Sequence, residues 1–484
     1  MGRRPAGWQL KYGARALALI ACVLVCGLAL ACGGKSKTTP TPSTSPTATA
    51  TPAPTETPTP APTPTPVPPP RPDAIPFPDD LKSTAMDYLQ QIAKLRGDPD
   101  PRPVDMFLLT RDQALAFYSN GQPTPVPTPE GATPAPTATP APRRIDPHQA
   151  LYELLGLAPP QQQTGQTVQQ QQTSNLISII TGFYSPVYNA FYMIETINGG
   201  ISGPLATSTI VHELTHALQY QETDINSIAQ QRAGDFDATT ALLDVMEGDA
   251  VRTEIDVLGY STRSTYRQPQ CFTIPAPQRP GTPYVVEREL DTWYEDGLCF
   301  MQVIADKEGA DGVAKVFQDL PSTTEQILHP EKYLAGETGM KVTLPDLTSA
   351  LGSSWRRLSQ GDFGEFGLQN VMLAGLPDDR IAVQTAAAGW NGDAWDLYVS
   401  GDQRLAHLET QWDTPNDAQE FFDTLGRSLL ARAGQAGAGP GSSGFGITVG
   451  NVMWNASIDG QRVTVLVGTD KTASAAAAAQ LGMK

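Results

Sequence analysis

The stretch VHELTHALQY, residues Val211 to Tyr220, places two histidines four positions apart with a glutamate directly after the first. On a helix, positions i and i+4 share a face, so His212 and His216 can turn both imidazoles toward one ion. Glu213 is displaced round the axis, where its carboxylate reaches a neighbouring water without being a ligand. Ile210, Leu214, Ala217 and Leu218 form an apolar stripe around this trio, and no Pro or Gly interrupts the turn. The other reading of the same residues is a buried helix whose histidines bond backbone or carboxylates. The chain has five histidines, and of the remaining three His148 and His407 have no partner at ligand spacing.

The pattern is the HExxH arrangement of zinc hydrolases, which needs a third protein ligand and a fourth position left for water. A downstream histidine at HExxHxxGxxH spacing is excluded, because Gln219 and Glu222 stand where glycine and histidine would be. A glutamate from a following helix is the other route. ALLDVMEGDAVRTEI offers Glu247, about thirty residues after His216, and the small Gly248 and Ala250 let that helix come close. Asp249 or Asp244 would then orient a ligand histidine from behind. The alternative is an acidic helix face with Glu247, Asp249 and Glu254 solvated.

Working outward, SIITGFYSPVYNAFYMIE lies about twenty residues before the histidines and reads as two β-rich runs around Ser185, Pro186 and Asn189, a hairpin. Its strand Gly182, Phe183, Tyr184 is a candidate edge to which an extended peptide adds through main-chain hydrogen bonds. Helices are expected over Leu205 to Glu222, Ala233 to Leu258, roughly Val286 to Ala305, and Asp311 to Leu320. Capping boxes are expected at Thr110 with Gln113 and at Ser322 with Glu325. Earlier, a helix follows PDD with Leu81, Met86, Leu89, Ile92 and Leu95 on one face, RPVDMFLLT reads as a strand, and Asp146 with Pro147 opens a helix to Leu157.

After Pro345 the pattern changes to short runs, IAVQTAA, AWDLYVS, LAHLETQW, GITVG, VMWNAS and RVTVLVG, each expected as a strand. Thr414 and Pro415 open a helix to about Ala433, and TASAAAAAQLG makes a short last one. The fold class expected is α+β: a helix-rich, zincin-like catalytic domain with a small β-hairpin sheet over residues 76–345, then a smaller C-terminal antiparallel α+β domain over residues 346–484.

The N-terminus speaks to location. Residues 1–31 carry Arg3, Arg4, Lys11 and Arg15 before an apolar run that ends LALAC at Cys32, an export signal too short for a spanning helix. Ala31 before Cys32 and a stalk after it favour lipidation of Cys32, which would hold the protein at the extracytoplasmic face of a membrane. Ordinary cleavage and an uncleaved anchor are the alternatives. Residues 32–75 are Pro/Thr-rich and too poor in apolar side chains to fold, giving a spacer with a reach on the order of 100 Å. Segments 122–142 and 161–172 are of similar low complexity and read as surface insertions.

With the signal removed and Cys32 acylated, Cys271 and Cys299 remain, an even count in an oxidising compartment that suits a disulfide, although two isolated buried thiols fit the same count. Setting aside the first 31 residues leaves 29 Lys and Arg against 50 Asp and Glu, an excess that argues against nucleic acid as a partner.

Four motifs in order, GFY.P (Gly182, Phe183, Tyr184, Pro186), HEL.HALQ.Q (His212 to Gln221), EGDA (Glu247 to Ala250) and HP.KY (His329, Pro330, Lys332, Tyr333), resemble the gluzincin-type zinc metallopeptidases, closest to exported bacterial members. The resemblance covers about residues 76 to 345, and more loosely GWNGDAWDLY and WDTPNDAQEF in the last domain. It implies one zinc ion on His212, His216 and Glu247, Glu213 as catalytic base, and a peptide or protein substrate. His329 and Tyr333 are candidates to stabilise the developing oxyanion. Two positions depart from the pattern: Ser185 replaces a usual aspartate, and no aspartate lies four residues after Glu247. Two other functions are compatible with these residues, a tethered binding lipoprotein without turnover and a zinc amidase acting on cell-wall links.

Overall fold

The computed structural model describes residues 75–98, 100–119, 145–160, 165, 167–195, 204–259, 271–277, 282–435 and 443–483. Residues 1–31, Cys32, the stalk and the tract 122–142 lie outside them. No helix among the described residues is long and apolar enough to cross a membrane. The fold is α+β: a helix-rich part with a four-stranded sheet, followed by a six-stranded antiparallel sheet.

The first sheet is built from β1 (Ile75–Pro76), β2 (Asp105–Leu109), β3 (Gly182–Ser185) and β4 (Ala190–Ile194) in the order β1-β2-β4-β3. β3 and β4 form the expected hairpin, turned by Asn189 at φ 48, while β2 runs parallel to β4 with Asp105 opposite Ala190. Side chains alternate along β4 as the pleat requires. Phe191 and Met193 join one core with Leu89 and Ile92 of α1 (Asp79–Arg96); Tyr192 and Ile194 join another with Phe183 and Ile180. The sheet is thus covered on both faces.

Helix α2 (Arg111–Ser119) starts at the capping box expected, Thr110 Oγ1 accepting from Gln113 N and Gln113 Oε1 from Thr110 N. Helices α3 (Pro147–Leu155) and α4 (Val168–Ile179) follow. α4 corrects one expectation: the glutamine tract is not wholly an insertion, for its end is helical, Val168 is buried, and Gln172 Nε2 donates to Glu289.

The HExxH stretch lies on α5 (Pro204–Glu222), between the sheet and a long helix; α6 (Ile225–Gln231) leads into that helix, α7 (Phe236–Leu258). Asp235 caps α7 by accepting from Ala238 N, and Gly259 ends it in the left-handed region. α8 (Tyr284–Asp291), a π-helical turn (Thr292–Asp296) and α9 (Gly297–Val316) continue without a break. α7 and α9 cross backbone to backbone: a Cβ on Gly248 would lie 2.1 Å from the Gly297 carbonyl carbon, and one on Gly297 2.1 Å from the Asp244 carbonyl oxygen. The helix expected over Asp311 to Leu320 is the end of α9, beyond non-helical backbone at Gly309. Cys271 and Cys299 are joined as a disulfide with Cα atoms 5.6 Å apart.

Two short helices come next, α10 (Thr324–Leu328) and α11 (Pro330–Leu334). The cap of α10 is Thr323, whose Oγ1 accepts from Gln326 N, one residue later than the Ser322 and Glu325 expected; Ser322 N donates instead to Gln326 Oε1.

The second sheet is preceded by α12 (Thr348–Leu351) and has the order β5-β6-β7-β10-β9-β8. Its strands are β5 (Arg356–Gly361), β6 (Trp390–Ser400), β7 (Gln403–Trp412), β8 (Gly444–Val449), β9 (Val452–Asp459) and β10 (Arg462–Gly468). Its helices are α13 (Gly364–Leu373), α14 (Arg380–Ala387), α15 (Pro415–Arg432) and α16 (Lys471–Leu481). IAVQTAA is therefore helical, not a strand. Val383, Ala386 and Ala387 are buried at helical spacing, and that packing overrides the β-branched pair Ile381 and Val383. On one face Phe421, Phe422 and Leu425 of α15 pack on Leu397, Leu408 and Val465; on the other Ala473 and Ala477 of α16 pack on Tyr398, Leu405 and Leu466. The larger of these cores also takes in Ala150, Leu151, Leu154 and Leu155 of α3, so a helix far upstream belongs to the C-terminal sheet.

Candidate metal centre

α5 and α7 lie side by side and bring three ligand-type side chains together. His212 Nε2 and His216 Nε2 are 3.0 Å apart, and Glu247 Oε2 lies 3.0 Å from the first and 3.5 Å from the second. The three are buried and compact enough to hold a metal ion. Glu213 lies beside them, its Oε2 accepting from Tyr184 N at 2.9 Å. The outer strand β3 is thus tied to the glutamate of the motif, which takes up one of the main-chain groups a peptide would use on that edge.

The donor set fits a zinc ion, and the reason lies behind the two rings. His212 Nδ1–H donates to Glu254 Oε1 at 3.0 Å, and His216 Nδ1–H donates to Gln219 Oε1 at 2.8 Å. With both Nδ1 atoms committed as donors, both Nε2 atoms turn inward toward the glutamate, which suits a shared cation. Without one, a proton takes that place: burial opposes charge on His212, yet hydrogen bonds to Glu247 and Glu254 outweigh it and push the ring up to about 10. Burial likewise opposes charge on Glu247, but His216 and His212 pull it down to about 2.

The supporting residues differ in part from those expected. Glu254, not Asp244, orients His212, and Ser208 Oγ donates in turn to Glu254. Asp244 is fully buried, its carboxylate oxygens have no hydrogen-bond partner among the described residues, and burial raises its pKa well above the usual range. Asp249 reaches His216 only through Gln219, whose Nε2 donates to Asp249 Oδ2 at 2.9 Å. Arg96, from the last turn of α1, donates to the same oxygen at 2.5 Å. Tyr294 of the π-helical turn lies near His212, with 6.2 Å between ring centroids. Glu254 and Gln219 carried a sequence signal, standing two turns after Glu247 and one turn after His216. Arg96 and Tyr294 carried none, since their proximity is tertiary.

His329 and Tyr333 are held by other groups. His329 Nε2 lies 3.1 Å from Glu365 Oε2, and Tyr333 packs edge-on against Phe300 while its hydroxyl donates to the Asp319 carbonyl at 2.9 Å. Between them Lys332 Nζ sits among Glu325, Glu337 and Asp413 at 2.7, 2.8 and 2.9 Å. Those three carboxylates form a second ligand-type group, one that already surrounds an ammonium. His407 is buried, with its pKa lowered to about 4 by that burial.

A cavity of about 810 Å³ opens where the start of α7 meets the C-terminal sheet, lined by Asp235, Asp362, Trp390, Trp395 and Met340 among others. It contains none of the His–Glu cluster, whose four residues are at most 2% exposed.

A family described as a domain of unknown function, DUF8575, matches residues 351–478, the span of the second sheet. No curated protein and no solved structure matches the chain.

Proposed function

We propose that this protein is an exported zinc metallopeptidase, with His212, His216 and Glu247 as ligands and Glu213 as general base. The observation that carries the reading is the convergence of two imidazole Nε2 atoms and one carboxylate oxygen within 3.5 Å, with an additional glutamate beside them. Two His, one Glu and a neighbouring carboxylate make the donor set of a catalytic site with an open position, whereas structural zinc sites are closed by four protein ligands. The motif resemblance to gluzincin peptidases supports the same assignment.

Zinc, when bound, supplies a Lewis acid that makes water nucleophilic near neutral pH and polarises a carbonyl oxygen. Glu213 accepts the proton of the attacking water and returns it to the departing amine nitrogen. Glu254 and Gln219 hold the two rings in the tautomer that presents Nε2. The amide N–H of Tyr184 fixes the Glu213 carboxylate. Because the four side chains are buried, substrate entry requires an opening movement before chemistry. That burial also favours a second reading, a tethered metal-holding protein without turnover. We place the chain at an extracytoplasmic membrane surface through a lipid on Cys32, on the basis of its N-terminal sequence.

The test is metal analysis and cleavage of unfolded protein by the wild type and Glu213→Gln. The variant should keep zinc and lose chelator-sensitive hydrolysis by at least about 100-fold. A wild type that holds zinc yet cleaves neither peptides nor muropeptides would establish the binding protein instead; cleavage of muropeptides alone would establish the amidase.

A further inference from the structure

We propose that Arg96 is a positioning residue for the metal centre, acting on His216 through Asp249 and Gln219; the inference rests on the metal reading above. The path is continuous. Arg96 NH1 donates to Asp249 Oδ2 at 2.5 Å, Gln219 Nε2 donates to that oxygen at 2.9 Å, and Gln219 Oε1 accepts from His216 Nδ1 at 2.8 Å.

The glutamine is the element that converts position into orientation. Its Nε2 also donates to the Met246 carbonyl at 3.0 Å, so both hydrogens of the amide are committed to acceptors. A flipped amide would set its oxygen against a carboxylate and a carbonyl, so Oε1 is bound to face His216. The ring must then carry its hydrogen on Nδ1 and turn Nε2 toward the ligand cluster.

That arrangement depends on where Asp249 Oδ2 lies, and Arg96 settles it. The guanidinium is gripped on its other edge by Glu222, with Nε at 3.1 and 3.0 Å from the two carboxylate oxygens and NH2 at 2.8 Å. Its Cζ stands 5.2 Å from the centre of the Phe317 ring. Clamped in this way at the end of α1, the arginine has one remaining direction, toward Asp249. It also balances the Asp249 charge, so His216 is backed by a neutral amide and a neutralised carboxylate. His212 is backed directly by Glu254. The two ligand rings therefore receive unequal negative charge, and the metal keeps more of its acidity than two carboxylate-backed rings would leave it.

A purely structural Arg96 would fasten α1 to α5 through Glu222 and leave the metal indifferent. The deciding measurement is zinc affinity by chelator competition, beside the unfolding midpoint of the metal-free protein, for Arg96→Ala, Gln219→Leu, the double variant and Glu222→Gln. Arg96→Ala and Gln219→Leu should each weaken zinc binding about ten-fold or more, as loss of a group behind a ligand does. The double variant should be no weaker than Gln219→Leu alone, because both substitutions break one path. Glu222→Gln, which keeps an oxygen for the guanidinium but loosens the clamp, should lower the midpoint and weaken zinc binding by less than Arg96→Ala does; a loss larger than that of Arg96→Ala would overturn the inference. Wild-type affinity in Arg96→Ala, or losses that multiply in the double variant, would overturn the inference. If Arg96→Ala does not fold, Asp249→Asn reads the same path and should show the same ten-fold loss. A wild-type chain that takes up no zinc would overturn the metal reading itself, a distinct outcome.

Discussion

Replacing Glu254 with glutamine tests the least expected part of the site. The carboxylate is fully buried and accepts from His212 Nδ1 at 3.0 Å and from Ser208 Oγ. The Glu254→Gln side chain would preserve shape and one acceptor oxygen but remove the charge that, on the proposed metal reading, strengthens His212 as a ligand. Loss of such a group lowers metal affinity by about 10- to 100-fold, or about 1.4 to 2.7 kcal/mol. With zinc held at about 1,000 times the wild-type dissociation constant, binding stabilises the wild type by about 4.1 kcal/mol. The variant at the same free zinc would retain about 2.7 to 1.4 kcal/mol. Paired urea unfolding curves in buffered zinc and in EDTA read that difference directly. Equal zinc-dependent stabilisation in Glu254→Gln and wild type would refute the assignment of Glu254 to the metal.

Other outcomes follow from the packing and the buried charges. Gly248→Ala forces a Cβ onto the Gly297 backbone, which cannot move as a flexible side chain can, and should destabilise by about 1 to 3 kcal/mol in urea unfolding. A midpoint unchanged from wild type would mean the two helices do not cross this closely. Burial raises Asp362 and Glu289 to about 7 and Asp393 and Asp296 to about 6. Each carboxyl then binds its proton more tightly folded than unfolded, so stability is greatest below the unfolded values and falls as pH rises through the folded ones. His212, raised to about 10, adds in the same direction above its unfolded value. In EDTA the urea midpoint should be higher at pH 5 than at pH 7.5, and a rise over that interval would contradict the raised values. Reducing Cys271–Cys299, which closes a 28-residue separation, should cost about 3.5 kcal/mol in the chain-entropy account, seen as a lower midpoint in dithiothreitol.

Much of the fold was legible where one periodicity ruled a segment. Val211 to Tyr220 follows helical spacing, the hairpin alternates around Pro186 and Asn189, and Asp146 with Pro147 marks a helix start. The polar interior was harder to read. On α7, Glu247, Asp249 and Glu254 look like one solvated acidic face, yet all three are buried. Their hydration is replaced by His212, His216, Gln219 and Arg96, from elements distant in the chain, and a single segment cannot announce that exchange. The Gln-rich tract misled because composition resembles a linker while Val168 and Gln172 find tertiary partners. β5 was not anticipated at all: it is an edge strand of Arg, Leu, Ser and Gln, without the apolar alternation of a strand lying on a core.

The membership of α3 in the C-terminal core has a practical corollary. Ala150, Leu151, Leu154 and Leu155 cover part of the sheet that the matched family segment contributes, yet they stand some two hundred residues before it. Severing the chain near Leu351 would strip that greasy cover and leave a sticky strip on an otherwise folded body, the kind of surface that drives self-association. In this protein the boundary of the matched segment and the boundary of the core that covers its sheet are different places.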